Sequence, residues 1–462
     1  MTMNYNDLTL ESCKEALKSA QEAGNISEVS KCFNRIALLH HKRGDYDKAL
    51  ELSSRALEIS EKSRDTSEIL KSYHQMAIVH QKRGDYDKAL DFSYKTLALA
   101  EKIGDIAGIL KSYNQIGIVH QKRGDYDWAL DFHQKALEIA DKTEDLAAAS
   151  VGYQNMGIVY QKQGDYDKAL ELSHKALEIK EKSEDHHTIL RIYGQIGLLH
   201  KLRGDYDTAL DFTLKALGIA EKIGDIAGAS TCYNQIGLVN HERGECNKAL
   251  DFYQKALEIA EKIGDVSEVS KNYNQMATVY QTKGDYDTAL DFSRKALQIS
   301  ERIGDVAAVS MSYRQIGIVH QEKGDYDKAL DFYRKALEIA ERVGDIVGIS
   351  KSYHQMGIVY QNRGEFDRAL EFYQKALEIA KKVGDIVGVA GTIGMIGKVM
   401  YMKKNYKDAF IDYLISLDIF ERIGSPNLNI INELISELTK EMGEEDFSRL
   451  LEEFKGRPDP KA

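Results

Sequence analysis

The sequence predicts an all-α chain built as a stack of helix pairs. Three observations carry that expectation. The heptapeptide Gly84-Asp85-Tyr86-Asp87-Lys88-Ala89-Leu90 returns forty residues later as Gly124-Asp125-Tyr126-Asp127-Trp128-Ala129-Leu130. It returns again from Gly44, Gly164, Gly204, Gly284 and Gly324, and in altered form from Gly244 and Gly364. In the third period Gly-Asp occurs twice, at Gly104-Asp105 and Gly124-Asp125, and the segments between carry apolar residues at the i, i+3, i+4, i+7 spacing of an amphipathic helix. A period of ~20–50 residues marks an architecture in which each unit packs on its neighbours.

Composition agrees. Hydrophobic residues make up 43% and charged residues 29%, which fits a folded chain and argues against disorder. The three prolines all follow residue 425, so no proline interrupts a helix before that point. The net charge of −11 disfavours bulk nucleic-acid binding. Cys13, Cys32, Cys232 and Cys246 form no CxxC pair and read as small hydrophobes in a reduced compartment. The first residues show no basic, then apolar, leader, and no apolar run reaches membrane-spanning length. A cytoplasmic protein with no membrane association is expected.

Taken in order, residues 1–24 hold one capping helix, with Leu10, Ala16, Leu17 and Ala20 in the phase of Leu50, Ala56, Leu57 and Ser60. Ten forty-residue units run over 25–424. In the third unit, Gly104 and Gly124 end helices, because glycine accepts the left-handed turn after a C-terminus. Asp105 and Asp125 are expected to cap the helices that follow. Each unit therefore holds a first helix, A, and a second, B. Residues 425–456 are expected to form a capping hairpin, with Leu428, Ile431, Leu434, Ile435 and Leu438 on one helix and Phe447, Leu450, Leu451 and Phe454 on the other. Residues 457–462 read as a disordered tail.

Columns of equivalent positions show what geometry restricts. Alanine fills 49, 89, 129, 169, 209, 249, 289, 329, 369 and 409 without exception. The column through Gly117 holds only glycine or alanine, and that through Tyr113 holds Tyr or Phe except at Ile393. Small residues opposite large ones let two helices approach to ~8–10 Å.

These columns resemble the tetratricopeptide repeat family. In the third unit its pattern stands as Tyr113, Ile116, Gly117 and His120, then Gly124, Tyr126, Ala129 and Ala136. The forty-residue form is similar to the repeats of Pins/LGN-type scaffold proteins and, less closely, of kinesin light chain. The resemblance implies a right-handed α-solenoid superhelix of about ten two-helix units with capping helices at both ends. It places helices A on the concave face and B on the convex one.

Enzyme signatures are absent: there is no phosphate-binding loop, dinucleotide fingerprint, HExxH, GxSxG or zinc-type cluster. No cofactor, no metal and no catalytic residue are expected. His40, His80, His120, His200 and His320 share a column with tyrosines, which indicates a slot for a flat ring with a polar edge. The Arg-Gly-Asp triplets from Arg43, Arg83, Arg123 and Arg203 read as helix end, turn and cap.

The resemblance places groove contacts at five positions per unit. The first column contains Lys31, Lys71, Lys111, Lys271 and Lys351. The second contains Asn34, His74, Asn114, Asn234, Asn274, Arg314 and His354. The third is apolar and includes Ile78, Ile118 and Ile158, and the fourth includes Gln81, Gln121 and Gln161. A second amide ladder runs through Gln75, Gln115, Gln195, Gln235, Gln275, Gln315 and Gln355. It would either read a ligand backbone or hydrogen-bond between units. The expected function is a non-catalytic scaffold that binds a partner protein segment, acidic or amphipathic, along the concave groove. A regulatory or assembly subunit that docks a folded protease, kinase or sensor through the convex face or the C-terminal hairpin remains the alternative.

Overall fold

The computed structural model describes residues 5–42 and 45–455, with the backbone alone for 5–9, 42, 343 and 453–455. The turn at Gly44, Arg43, the Phe454 side chain and the expected tail 457–462 lie outside the described residues. Among the described residues there are 23 α-helices and no strand.

Helix α1 covers Tyr5–Glu22. The pairs follow as α2 (Ile26–Lys42) with α3 (Tyr46–Ser63), α4 (Thr66–Lys82) with α5 (Tyr86–Ile103), and α6 (Ile106–Arg123) with α7 (Tyr126–Lys142). Next come α8 (Leu146–Lys162) with α9 (Tyr166–Lys182), α10 (His186–Leu202) with α11 (Tyr206–Ile223), and α12 (Ile226–Glu242) with α13 (Cys246–Ile263). Then α14 (Val266–Thr282) with α15 (Tyr286–Ile303), α16 (Val306–Glu322) with α17 (Tyr326–Val343), α18 (Ile346–Asn362) with α19 (Phe366–Lys382), and α20 (Ile386–Met402) with α21 (Tyr406–Arg422). Helices α22 (Leu428–Met442) and α23 (Glu444–Lys455) come last. The chain is an all-α repeat solenoid. Its contacts gather into two compact units, Met1–Val159 and Tyr160–Ala462.

Helix ends follow the expected chemistry with one difference. Asp105 accepts from the Gly108 N–H at 3.0 Å, and Gly124 closes α6 at φ +91°. Asp125 makes no such cap. Its Oδ2 lies 3.3 Å from His120 Nδ1 and 3.5 Å from Arg123 Nε. Asp85 and Asp325 behave alike, each turned to the histidine five residues before it. Asp45 and Asp205 also lie beside a histidine, at 3.0 and 3.2 Å, and still cap their helices.

The alanine column is fully enclosed: all ten members are 0% exposed. The glycine-or-alanine column has a finer logic than size alone. Gly117 faces His133, and a Cβ on the glycine would stand 2.6 Å from the imidazole. Gly237, Gly317, Gly357 and Gly397 face Tyr253, Tyr333, Tyr373 and Tyr413, where a Cβ would come within 2.6–2.9 Å of each ring. Where this column holds alanine, the residue sixteen positions on is serine: Ala37 with Ser53, Ala77 with Ser93, Ala277 with Ser293. Gly197 with Thr213 is intermediate, and Gly157 with Ser173 departs from the pattern. The methyl of the A helix and the ring of the B helix thus compete for one volume.

At the ends of the chain, Leu10 and Ala20 of α1 join Val29, Phe33 and Ile36 in one apolar cluster. Phe410, Tyr413 and Leu438 form another, against which Leu434, Ile435, Phe447, Leu450 and Leu451 pack.

Within 160–462 the stack also meets itself. Ile423 lies on Gly164, so that a Cβ there would stand 2.5 Å from its Cγ2, and Pro426 lies near Gly204. Ile423 is only 6% exposed, whereas its equivalents Ile103, Ile263 and Ile303 are 40–45% exposed. Tyr166 is likewise 5% exposed, while Tyr206 and Tyr286 at the same position are half-buried. The seam joins the start of α9 to α20 and the end of α21.

The competition between methyl and ring is testable. Gly317→Ala should lower stability by about 1–3 kcal/mol through overpacking against Tyr333. Gly317→Ala with Tyr333→Ser recreates the Ala277 and Ser293 pair. In urea denaturation the double variant should lose less than the sum of the two single losses, a coupling that independent sites would not show.

Candidate functional site

The A helices carry the expected columns, and in residues 1–159 they form a cleft. Lys31, Asn34, Arg35, Leu38 and His41 of α2 face Glu68, Lys71, His74, Gln75 and Ile78 of α4 around about 330 Å³. Five of the predicted residues, Lys31, Asn34, Lys71, His74 and Ile78, therefore line one cleft. Leu38 is 43% exposed, so apolar surface stays open to water between the cations. Lys31 sits 3.5 Å from Glu28, and Lys71 sits 2.7 Å from Glu68. Lys111 is exposed and makes no ion pair with a described residue. Ile78, Ile118 and Ile158 are each half-buried, and so is Gln121.

The second column turns inward. Asn34 is 7% exposed; it donates to Glu68 Oε2 at 3.0 Å and accepts from Ser72 Oγ at 3.1 Å. Asn114 Oδ1 accepts from Asn155 at 3.1 Å and lies 3.2 Å from His133 Nδ1. In 160–462, Asn234 donates to Glu268, Asn274 donates to Ser312 Oγ at 3.0 Å, and His354 Nδ1 meets Thr392 Oγ1 at 3.1 Å. Lys271 pairs with Glu268 at 3.1 Å, and Lys351 is exposed. These amides act as bolts between successive A helices.

For the amide ladder the structure chooses between the two alternatives at three junctions. Gln115 Nε2 donates to Gln81 Oε1 at 2.8 Å, Gln195 to Gln161 at 2.6 Å, and Gln315 to Gln281 at 2.8 Å. Gln81 and Gln161, expected to face a ligand, are each engaged by the following unit.

The histidine column is a set of stacked rings. His80, His120, His200 and His320 lie nearly parallel to Phe92, Phe132, Phe212 and Phe332, with centroids 5.5–5.7 Å apart and planes within 5°. Tyr280 and Tyr360 stack on Phe292 and Phe372 in the same way. The arginines of the Arg-Gly-Asp triplets reach back one unit: Arg83 to Asp47 at 2.5 Å, Arg123 to Asp87 at 3.0 Å, Arg203 to Asp167 at 2.8 Å. They tie units together on the surface, where each such pair contributes ~0–1 kcal/mol.

Sequence reasoning passed over Glu68 and Glu268. Glu68 is 2% exposed, anchored by Asn34 and Lys71. Its signal was available: the fourth position after the Gly of each A-helix turn is Glu at 28, 68 and 268 and Gly at 108, 228, 348 and 388. A carboxylate in that place pairs with the lysine three residues on, Glu28 with Lys31, Glu68 with Lys71 and Glu268 with Lys271.

Among the described residues no three His, Cys, Asp or Glu side chains lie close enough to hold a metal, and no helix is long and apolar enough to cross a membrane. Cys32 and Cys232 are buried at 0% and 3% exposure, and burial pushes the Cys232 thiol up to about 11. Cys13 and Cys246 are only half-buried.

The family model described as tetratricopeptide repeat matches residues 28–102, 68–142, 145–222, 188–262, 268–342 and 348–422. The chain belongs to the tetratricopeptide repeat family. Comparison with curated protein sequences gives no match. Among solved structures this repeat chain is similar to a Rap protein complexed with Competence and Sporulation Factor. That similarity has a TM-score of 0.51 and 16% identity, covering 78% of this chain and 99% of the other. It is also similar to aspartyl phosphate phosphatase F from Bacillus subtilis, with a TM-score of 0.50 and 13% identity, over 74% of this chain and 91% of that one.

Two ring slots give this repeat stack an acid-sensitive element. Burial pushes His133 and His354 each down to about 4. An unfolded imidazole titrates near ~6.5, so above that pH both states are neutral and the histidines add no pH dependence. Between ~6.5 and ~4 the unfolded chain takes up protons that the folded chain refuses, so stability falls as pH falls through this window. His133→Tyr installs the residue that stands opposite Gly237 and Gly317. The stability of wild type relative to His133→Tyr should drop by about 2 kcal/mol between pH 7 and 4.5, read from urea midpoints.

Proposed function

We propose that this chain is a non-catalytic scaffold that binds a segment of a partner protein along the face made by its A helices. The observation that carries this is the cleft between α2 and α4, where Lys31 and Lys71 flank open apolar surface at Leu38 and Ile78. Lysines around an apolar floor suit an acidic or amphipathic segment: the charges steer the encounter and the floor supplies area to bury. The cations concentrate in the first units, at Lys31, Lys71 and Lys111, although the whole chain carries −11. In 160–462 the same columns hold Asn234, Lys271, Asn274, Arg314, Lys351 and His354. A Rap protein of similar fold has been solved in complex with Competence and Sporulation Factor, which supports a binding function for such a stack. Lys71, Lys111, Asn114, Ile118 and Gln121 are the central contacts of the proposal. Burial of the second-column amides gives them a positioning part as well, since they set the spacing of the A helices.

Capture from native lysate, read by mass spectrometry, tests the proposal. Lys71→Glu with Lys111→Glu should reduce recovery of the specific partner about tenfold or more, because each lost groove charge contact removes on the order of 1 kcal/mol and reversal adds repulsion. Helicity by circular dichroism should stay at the wild-type level. Unchanged recovery would reject the lysine face as the binding site.

A further inference from the structure

The seam within 160–462 encloses a cavity of about 530 Å³, between the turn that leads into α9 and the end of α19, the start of α20 and the end of α21. It exists because Gly164 lies against Ile423 and Ile386. Its floor is apolar, made by Ile386, Val389, Ile419 and Ile423. Ile386 is half-buried here, whereas Ile106, Ile226 and Ile346 at the same position are 37–49% exposed. The volume falls in the ~300–1,000 Å³ range of small-molecule sites.

The polar rim departs from the repeat at two positions, and each departure occurs once in the chain. Position 163 holds Gln, where every other unit holds Arg or Lys, from Arg43 to Lys403. Position 381 holds Lys, where every other unit holds Glu or Asp, from Glu61 to Glu421. Packing accounts for part of this. Glu61, Glu181 and Glu301 accept from the hydroxyls of Tyr73, Tyr193 and Tyr313 at 3.0–3.3 Å, and Ile393 at the matching place in α20 has no hydroxyl to give. The loss of the hydroxyl removes the use for an acid at 381. It does not call for a base. At 163 an arginine would stand at the same rim as Lys381 and Arg422, and a neutral amide avoids crowding three cations.

The uncommitted groups at this rim are the Lys381 ammonium and the Gln163 amide. Neither side chain makes a hydrogen bond or ion pair with a described residue. Asp165 is engaged: Lys168 donates to it from its backbone N–H at 3.1 Å, and the Lys168 ammonium lies 2.9 Å away. Arg422 meets Asp418 through Nε at 3.1 Å, with both side chains more than half exposed. What is left over is one cation and one amide above an apolar floor. That pattern suits a single negative charge on an apolar tail: the charge sets the orientation and the floor supplies area to bury.

We propose that the seam cavity binds a small amphipathic monocarboxylate. Its carboxylate sits between Lys381, Arg422 and Gln163, and its alkyl chain lies on Ile386, Val389, Ile419 and Ile423. The site shares no residue with the cleft between α2 and α4 and does not depend on the scaffold function. A ligand held there touches both sides of the seam, so it also ties the start of α9 to α20 and α21.

Isothermal titration calorimetry on the full chain at neutral pH tests this with octanoate, 1-octanol, octylamine and octyl phosphate, each below its aggregation limit. One octanoate per chain should bind, about fivefold or more tightly than 1-octanol. Lys381→Glu restores the acid of the other units at an exposed position and should abolish that preference. Ile386→Thr copies Thr66 and should weaken octanoate and 1-octanol alike, by about threefold or more. Far-UV circular dichroism should match wild type for both variants. The proposal is overturned if octanoate shows no saturable binding, or binds no better than 1-octanol. Tighter binding of octylamine or octyl phosphate than of octanoate overturns the assignment to a carboxylate, and a preference that survives Lys381→Glu overturns the site. Several octanoates per chain, bound alike by wild type and Ile386→Thr, would mark detergent-like adsorption and overturn it as well.

Discussion

Helix A and helix B of each unit meet across a notch, and the rest of the stack depends on how that notch is filled. One wall is an alanine with no exposed surface in any of the ten units. The opposite wall is a methyl with a serine facing it in three units, a bare glycine with a ring facing it in five, and a glycine with Ser173 or Thr213 in the other two. Close packing excludes a methyl and a ring together, which would force atoms to within 2.6 Å. Within each compact unit the A helices repeat the same positions at a forty-residue interval.

That regularity is what turns columns into a surface. Amides in the second and fourth columns cross from one A helix to the next and fix their register, as in Gln115 with Gln81 and Asn274 with Ser312. Buried amides that satisfy each other are worth keeping, because an unpaired one costs ~1–3 kcal/mol. Their engagement leaves the charged and apolar positions as the variable lining. Glu68 and Glu268 neutralise their units from within. Gly108, Gly228, Gly348 and Gly388 do not, and so the electrostatic pattern of the face varies from unit to unit although the backbone does not.

The seam within 160–462 adds a restraint that a one-dimensional stack lacks. Ile423, whose equivalents lie in the open, is buried on Gly164. The glycine there serves a turn at φ +77° and also admits a foreign side chain against its backbone. Both features come from a missing Cβ; at Gly84 and Gly284 the turn recurs with no other side chain within 4 Å.

The forty-residue period, the Gly-Asp punctuation and the amphipathic spacing were enough to determine the number of helices, their ends and which face of each is buried. Those properties are local or repeat at a fixed interval, so a single chain displays them. The slot for flat rings at His80 and His120 was legible for the same reason. Contacts between positions thirty-four or more residues apart were not legible, because a column shows that a residue type recurs and not what it touches. Only the tertiary structure showed that Gln81 is occupied by Gln115 and that Asn34 bonds Glu68 of the next A helix. Those outcomes depend on which of several polar partners comes within about 3 Å after stacking, a distance that the three-dimensional packing alone sets.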